Sequence, residues 1–280
     1  MFSISDQYLE ALIAEDVPYL DLTTHLLDIG KSPGVIRYRT REDCVLCGSE
    51  EVTRIFGKLG AEMTYAEPSG ARLTAGDEFF EARGTAEALH AGWKVCLNIF
   101  DHYSAVATKT ARMVAAAQEV KPGLPILTTR KSMPGTKPLM VKAVMTGGAV
   151  PHRLGLSETI LIFDNHTVFA GGFEGLLKRL PELLKQACEK KVFVEADADE
   201  ARQLATAGVD GVQFDKLTPD ELRALVPELR AVNPHLVLIA AGGINENNVR
   251  DYAATGIDGL ATTAPLFAKP LDMTAKITAT

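Results

Sequence analysis

The sequence predicts a mixed α+β layer in the first hundred residues and a parallel-strand α/β barrel after Pro125. Three observations carry this. Strand-like and helical segments mix irregularly before Thr85, short apolar runs alternate with helical segments after Pro125, and polar side chains collect at the C-terminal ends of those runs. Apolar runs without alternation are what strands buried on both faces look like, and such strands belong to parallel sheets covered by helices.

The elements follow in order. Ser3 to Asp6 has capping-box spacing ahead of Tyr8, Leu9, Leu12 and Ile13 on one helical face. Residues 35–40 read as a strand. Ser49 is expected to cap a helix with Val52, Ile55, Phe56 and Leu59 on one face and Gly60 as its stop. Short strands are expected around Met63–Glu67 and Phe79–Arg83, with a Ser69-Gly70 turn between them. From Thr85 to about Val120 the pattern is helical, predicted as two helices or one bent one. Strands are then expected at 126–129, 159–163, 192–195, 211–214, 236–240 and 259–262, with helices between them. Thr218-Pro219-Asp220-Glu221 combines an N-cap, a first-turn proline and a capping glutamate, and Asn245 is expected to cap the next helix. Such units fit a βα barrel or a doubly wound sheet. In a barrel all strand C-termini share one face, whereas an open sheet gathers only those near its switch point. The many polar strand ends therefore favour the barrel.

Bulk properties bound the function. The 280 residues are 46% hydrophobic and 23% charged, ordinary for a globular chain. A formal net charge of −7 speaks against nucleic acid and membrane surfaces as partners. No apolar run reaches the roughly 20 residues of a membrane helix. The opening MFSISDQYLE lacks the basic and apolar regions of a leader, so a cytoplasmic protein is expected. Cys44 and Cys47 have a C-x-x-C spacing with no second pair. They are read as buried thiols on a half-buried strand, with zinc or redox use as the alternative.

Chemistry-bearing residues cluster after the strands. Arg130, Lys131 and Lys137 fall within eight residues, with Lys142 beyond, and Thr136 can open a helix whose N–H groups would face an anion. The alternative is a solvated basic loop. His152-Arg153, after Gly147-Gly148, can hold a carboxylate or phosphate. Asp164-Asn165-His166 follows an apolar strand and reads as a site or as a side-chain-closed turn. Glu195 and Asp215 end consecutive strands and can bind ribose hydroxyls, hold a magnesium pyrophosphate, act as acid and base, or serve helix dipoles. Gly242-Gly243 and Thr262-Thr263 end the last two strands, the usual phosphate position of βα barrels. Dinucleotide, nucleoside triphosphate, zincin and nucleophile-elbow motifs are absent from the sequence.

Thr129-Arg130-Lys131, Pro134-Gly135, Lys142-Ala143-Val144, Gly147-Gly148, His152-Arg153, Asp164-Asn165-His166, Glu195, Asp215 and Gly242-Gly243 occur in the order found in the quinolinate phosphoribosyltransferases. Near the start, Glu15-Asp16 and Asp21-Leu22-Thr23-Thr24 also resemble that family. The resemblance implies an N-terminal α/β sandwich over residues 1–108, an open α/β barrel over 109–267, and a tail, 268–280, that can return to the first domain. It further implies a homodimer with shared sites and Mg²⁺-dependent use of phosphoribosyl pyrophosphate with a small acid acceptor. Arg130, His152 and Arg153 would meet the acceptor, with Lys142 a further substrate-binding candidate. Lys131, Glu195 and Asp215 would serve the donor and its Mg²⁺, and Gly242, Gly243, Thr262 and Thr263 its 5-phosphate. Two positions depart from the family pattern. His102 stands where the family has a quinolinate-binding Arg, and Phe163 where it has a quinolinate-binding Lys. The chain thus resembles the ModD subgroup, which is associated with molybdenum transport, and quinolinate is not expected as its preferred acceptor. The alternatives are a true quinolinate enzyme, a non-catalytic protein binding a phosphorylated metabolite, and a barrel lyase using Lys216 or Lys131 as a Schiff base.

Overall fold

The computed structural model describes residues 3–280. The chain divides into two compact units.

The first unit comprises Met1–Ala111, Ser132–Gly148 and Leu266–Thr280. Its sheet has four antiparallel strands in the order Thr274–Ala279, Pro33–Arg39, Glu78–Thr85, Glu62–Ala66. The C-terminal strand thus pairs with the first. Tyr38, Phe79 and Phe80 are all buried; a bulge, where Phe80 pairs with Tyr38 and Glu78 with Arg39, interrupts the alternation so that the consecutive Phe79 and Phe80 both pack inside, meeting Phe56 of the helix Ser49–Lys58 and Phe100 of the long helix Ala86–Val120. Phe79 and Phe100 pack edge to face at 4.9 Å, a geometry that aligns ring edge with ring face. The Tyr38 hydroxyl donates to the Trp93 carbonyl at 3.0 Å, so the buried phenol is satisfied.

Local chemistry moved two expected caps. The first helix is Asp6–Asp16, and its cap is Ser5, whose Oγ accepts from the Tyr8 N–H, not Ser3. Gly48, at φ 106°, caps the Ser49–Lys58 helix, and Ser49 is its first residue. A residue without a Cβ takes that left-handed turn, which a serine would resist. Residues 86–120 form one continuous helix, so of the two alternatives, two helices or one bent one, the two-helix reading does not hold. Cys44, Cys47 and Cys96 are buried and free, and burial pushes the Cys47 thiol up to about 12, outside the reactive range. Among the described residues no group of three or more His, Cys, Asp or Glu could hold a metal, and no helix is long and apolar enough to cross a membrane.

The second unit comprises Arg112–Lys131 and Ala149–Pro265. Its seven strands are all parallel, in the spatial order Val150–Pro151, Ile126–Thr128, Gly259–Thr262, Val237–Ala241, Gly211–Asp215, Val192–Glu195, Ile160–Ile162. Taken around a circle, sequence neighbours are spatial neighbours. The first strand, 126–128, pairs with the last, 259–262, as in a barrel, and the single unpaired seam lies between 150–151 and 160–162. A doubly wound sheet would reverse direction in mid-order. This is the expected open α/β barrel, with one strand, Val150–Pro151, that the sequence did not announce. Leu161, Phe193, Ile239, Ala241 and Ala261 form a buried cluster, against which Leu127, Phe163 and Val237 pack. Thr218 caps Pro219–Val232 as its sequence predicts, with Glu221 accepting from the Thr218 N–H at 2.7 Å. Asn245 does not cap the helix Val249–Ala253; Asn248 holds that position, while the Asn245 side chain accepts from the Asn247 N–H in a turn of its own.

The division does not fall at a single point near residue 108. Ser132–Gly148 groups with the first unit, and its helix Lys137–Thr146 carries Lys142 into an ion pair with Glu50 and Glu51.

Candidate active site

The parallel barrel strands place their C-terminal ends on one face of the second unit, and the candidate residues are read around that rim. At the end of 126–128, the Thr129 N–H donates to the Thr262 carbonyl at 3.1 Å and its hydroxyl meets the Thr263 hydroxyl at 3.0 Å. The chain then leaves the sheet, the Lys131 N–H donating to Thr129 Oγ1, so Arg130 and Lys131 are exposed at the rim. On the neighbouring strand the His152 N–H donates to the Thr128 carbonyl at 2.9 Å and sets His152-Arg153 beside them. Burial and the Arg153 charge lower the pKa of half-buried His152, which therefore stays neutral at pH 7. Burial and the charge of Arg130 also lower that of Arg153. The two guanidinium groups thus lie near enough to repel each other.

Phe163, across the open seam, lies beneath the Arg153 guanidinium at 5.7 Å. That is cation–π distance. The His166 ring stacks on Phe163 at 5.8 Å between centroids, and His166 Nδ1 accepts the Phe163 N–H at 3.0 Å. Phe163 thus sits between a guanidinium and an imidazole ring.

The acidic end lies on the next strands. Glu195 Oε2 accepts from Gln213 Nε2 at 2.7 Å. Burial raises the Glu195 pKa, against that hydrogen bond; the charges of Asp215 and Asp164 raise it further and Lys131 opposes them. Gln213 was not singled out in the sequence. Its signal is an amide inside the otherwise apolar run 211–214. Asp215 Oδ2 pairs with Lys216 Nζ at 3.2 Å, both largely exposed.

At the Gly242-Gly243 turn both glycines have positive φ, 86° and 73°. A Cβ on Gly242 would stand 2.6 Å from Asp215 Oδ1, so no other residue fits there unchanged. The Gly243 carbonyl accepts from the side-chain amides of Asn245 and Asn248. Thr262 is buried, its hydroxyl donating to the Ile244 carbonyl at 2.6 Å and accepting from the Ala264 N–H, so it pins the turn to the last strand. Thr263 is half-buried, with its hydroxyl on Thr129.

Arg130, Lys131, His152, Arg153, Phe163, Glu195, Asp215, Gly242, Gly243, Thr262 and Thr263 thus all stand at barrel strand ends of the second unit. His102 and Lys142 belong to the first. His102 is exposed on the long helix. Lys142, expected at the acceptor, is instead buried, with Nζ 2.6 Å from Glu50 Oε2 and bonded to Glu51. Burial works against ionised Glu50, but Lys142 and Ser69 hold its carboxyl down to about 2.

Residues 106–276 match the C-terminal domain model of quinolinate phosphoribosyl transferase, and residues 21–104 match the N-terminal one. The ModD protein of Rhodobacter capsulatus, named as a pyrophosphorylase, is 42% identical over 261 residues, 91% of this chain and 98% of that one. A ModD protein of Escherichia coli, likewise named, is 34% identical over 274 residues, 98% of this chain and 96% of that one. Among solved structures, the nicotinate-nucleotide pyrophosphorylase from Francisella tularensis superposes with a TM-score of 0.88 at 26% identity, over 99% of this chain and 98% of that one. With both domain models and near-full-length relatives in agreement, the chain belongs to the quinolinate phosphoribosyltransferase family and is a pentosyltransferase.

Proposed function

We propose that the enzyme transfers a phosphoribosyl group from phosphoribosyl pyrophosphate to the ring nitrogen of a planar heteroaromatic acid with a single carboxylate, and that quinolinate is a poor acceptor. The observation behind this is the Arg153–Phe163–His166 platform. The resemblance leads one to expect a lysine at position 163; an aromatic ring there stacks on a flat acceptor but pairs with no second carboxylate. An unpaired buried carboxylate costs several kcal/mol. Arg130 and Arg153 would hold the one carboxylate in a bidentate clamp.

The donor end supplies the other half. Pyrophosphate leaves the ribose carbon with the bonding electron pair, and the acceptor's ring nitrogen provides the pair for the new bond. Positive charge develops on the ribose between these events, and Glu195 and Asp215 would stabilise it. Gln213 holds the Glu195 carboxylate in place. Lys131 would balance negative charge on the donor. Mg²⁺ fits this donor set as an ion that arrives with its ligand. It ordinarily takes one or two carboxylates plus substrate phosphates, and Glu195 and Asp215 offer two carboxylates without a complete protein cage. When bound, it would neutralise charge on the leaving pyrophosphate. A Schiff-base lysine needs a desolvated amine, whereas the Lys216 side chain is 79% exposed. The resemblance also implies a homodimer, with His102 serving the neighbouring subunit's site.

The test is steady-state kinetics with quinolinate for the wild type and for His102→Arg/Phe163→Lys. Slow wild-type turnover and a gain of about tenfold or more in kcat/KM on restoring both cations are expected, one charged hydrogen bond being worth that much. Efficient wild-type use of quinolinate with no gain in the double variant would contradict the acceptor assignment.

A further inference from the structure

Lys216 is one of two non-glycine residues with positive φ among those described, at 65°. An L-residue there costs on the order of 1–2 kcal/mol, and lysine has no short polar side chain to relieve it. Its surroundings hold it in place. The Lys216 N–H donates to the Ala241 carbonyl at 2.9 Å, carrying the sheet one residue past the end of Gly211–Asp215. Gly242 faces it so closely that a Cβ there would lie 2.6 Å from both the Lys216 nitrogen and its Cγ. The lysine stem therefore starts directly over the glycine turn, with its ammonium exposed and 3.2 Å from Asp215 Oδ2.

The strand ends flanking this turn carry little other charge. On one side stand Thr262 and Thr263, the first with its hydroxyl committed to Ile244 and Ala264. On the other stand Asp215 and Lys216. Among the described residues of these flanking ends, Lys216 is the one cation. The Asp215–Lys216 contact is exposed on both sides, and such pairs exchange readily for a better anion.

We propose that Lys216 is a substrate-binding residue whose ammonium exchanges Asp215 for a phosphate group of the sugar-phosphate donor at the Gly242-Gly243 turn. The exchange leaves the Asp215 carboxylate free for the ribose, so the strained residue couples donor binding to release of the neighbouring acid. The placement rests on the phosphoribosyl donor proposed above.

Lys216→Gln removes the charge and keeps the same backbone demand, so the fold is little disturbed; Lys216→Arg keeps the charge. Titration calorimetry of wild type and both variants would use phosphoribosyl pyrophosphate with Mg²⁺, ribose 5-phosphate and pyrophosphate. Expected are a loss of about tenfold or more in donor affinity for Lys216→Gln, near-normal affinity for Lys216→Arg, and an unchanged Tm in both. A loss that extends to ribose 5-phosphate puts the ammonium on the 5-phosphate, and one that extends to pyrophosphate puts it on the leaving group; both support the proposal. Wild-type binding with equal affinity in Lys216→Gln for all three ligands overturns it and leaves the donor reading standing. No wild-type binding of any of the three overturns the donor reading and the proposal together.

Discussion

Phe163 and Glu195 show how single residues divide the labour of the rim. Phe163 gives up a charge and gains a ring face, held by the His166 imidazole and roofed by Arg153. Glu195 is the reverse, a carboxylate kept half-buried at some cost in ionisation. Burial raises its pKa, as do Asp215 and Asp164. A raised carboxyl pKa means the folded state holds the proton more tightly than the unfolded chain. Its contribution to stability is therefore present at acid pH and lost as pH rises through the raised value. On the proposed donor assignment function has the opposite sign, because the ribose cation would need the anion. Glu195→Gln is accordingly expected to raise Tm at pH 7 while abolishing most turnover and removing the acid limb of the kcat/KM profile. Thermal melts beside a pH–rate profile check this, and a lower Tm with the acid limb intact would count against it. Lys142 makes a different point. Its position invited an acceptor role, yet it neutralises Glu50 and the almost fully buried Glu51. Lys142→Met should leave that carboxylate without its ion pair and destabilise the protein by about 3–5 kcal/mol, readable by urea unfolding.

Elements decide where such residues point. Gly242→Ala would place a Cβ against Asp215 and Lys216 at a positive φ, so donor affinity should fall with a lowered Tm, in contrast to Lys216→Gln. The C-terminal strand gives a second case. The Asp101 carboxylate accepts the Met273 N–H at 3.0 Å, and its main-chain carbonyl accepts that of Leu271, just before Thr274–Ala279 pairs with Pro33–Arg39. Burial, opposed by that hydrogen bond and reinforced by Asp272, lifts its carboxyl to about 6. Stability from this group is present below its ordinary value near 4 and lost as pH rises through about 6. Asp101→Asn should therefore melt a few degrees higher at pH 7.5, about 1 kcal/mol after allowing for solvent screening, with no difference by pH 4. Differential scanning calorimetry at both pH values tests it.

The same scale explains what the sequence revealed. Six barrel strands were legible because burial on both faces demands continuous apolar runs. Val150–Pro151 was not, since two residues make no pattern. The helix 86–120 is unbroken, against the two-helix alternative. Its Gly92 lets the Phe56 ring come close, as a Cβ there would lie 2.5 Å from Phe56 Cε1. Rim residues were visible from their place after apolar runs. Gln213 leaves only the trace of an amide within an apolar run, and the commitment of Thr262 leaves none, because side-chain hydrogen bonds between separate strand ends have no local pattern.

For the whole molecule, the net charge of −7 coexists with a cationic cluster at one part of the barrel rim. Exposed apolar side chains occur in both units, Tyr19 and Leu26 in the first, Leu156 and Phe169 in the second. A dimer at micromolar concentration is expected by light scattering, and a monomer with full ligand binding would contradict a shared site. The most direct test of the central claim is pyrophosphate release from phosphoribosyl pyrophosphate and Mg²⁺ across a panel of aromatic acids that includes quinolinate. The expected result is acceptor-dependent release, fastest with a planar monocarboxylate and nearly lost in Glu195→Gln. Equal background release with every acceptor, unchanged in that variant, would contradict it.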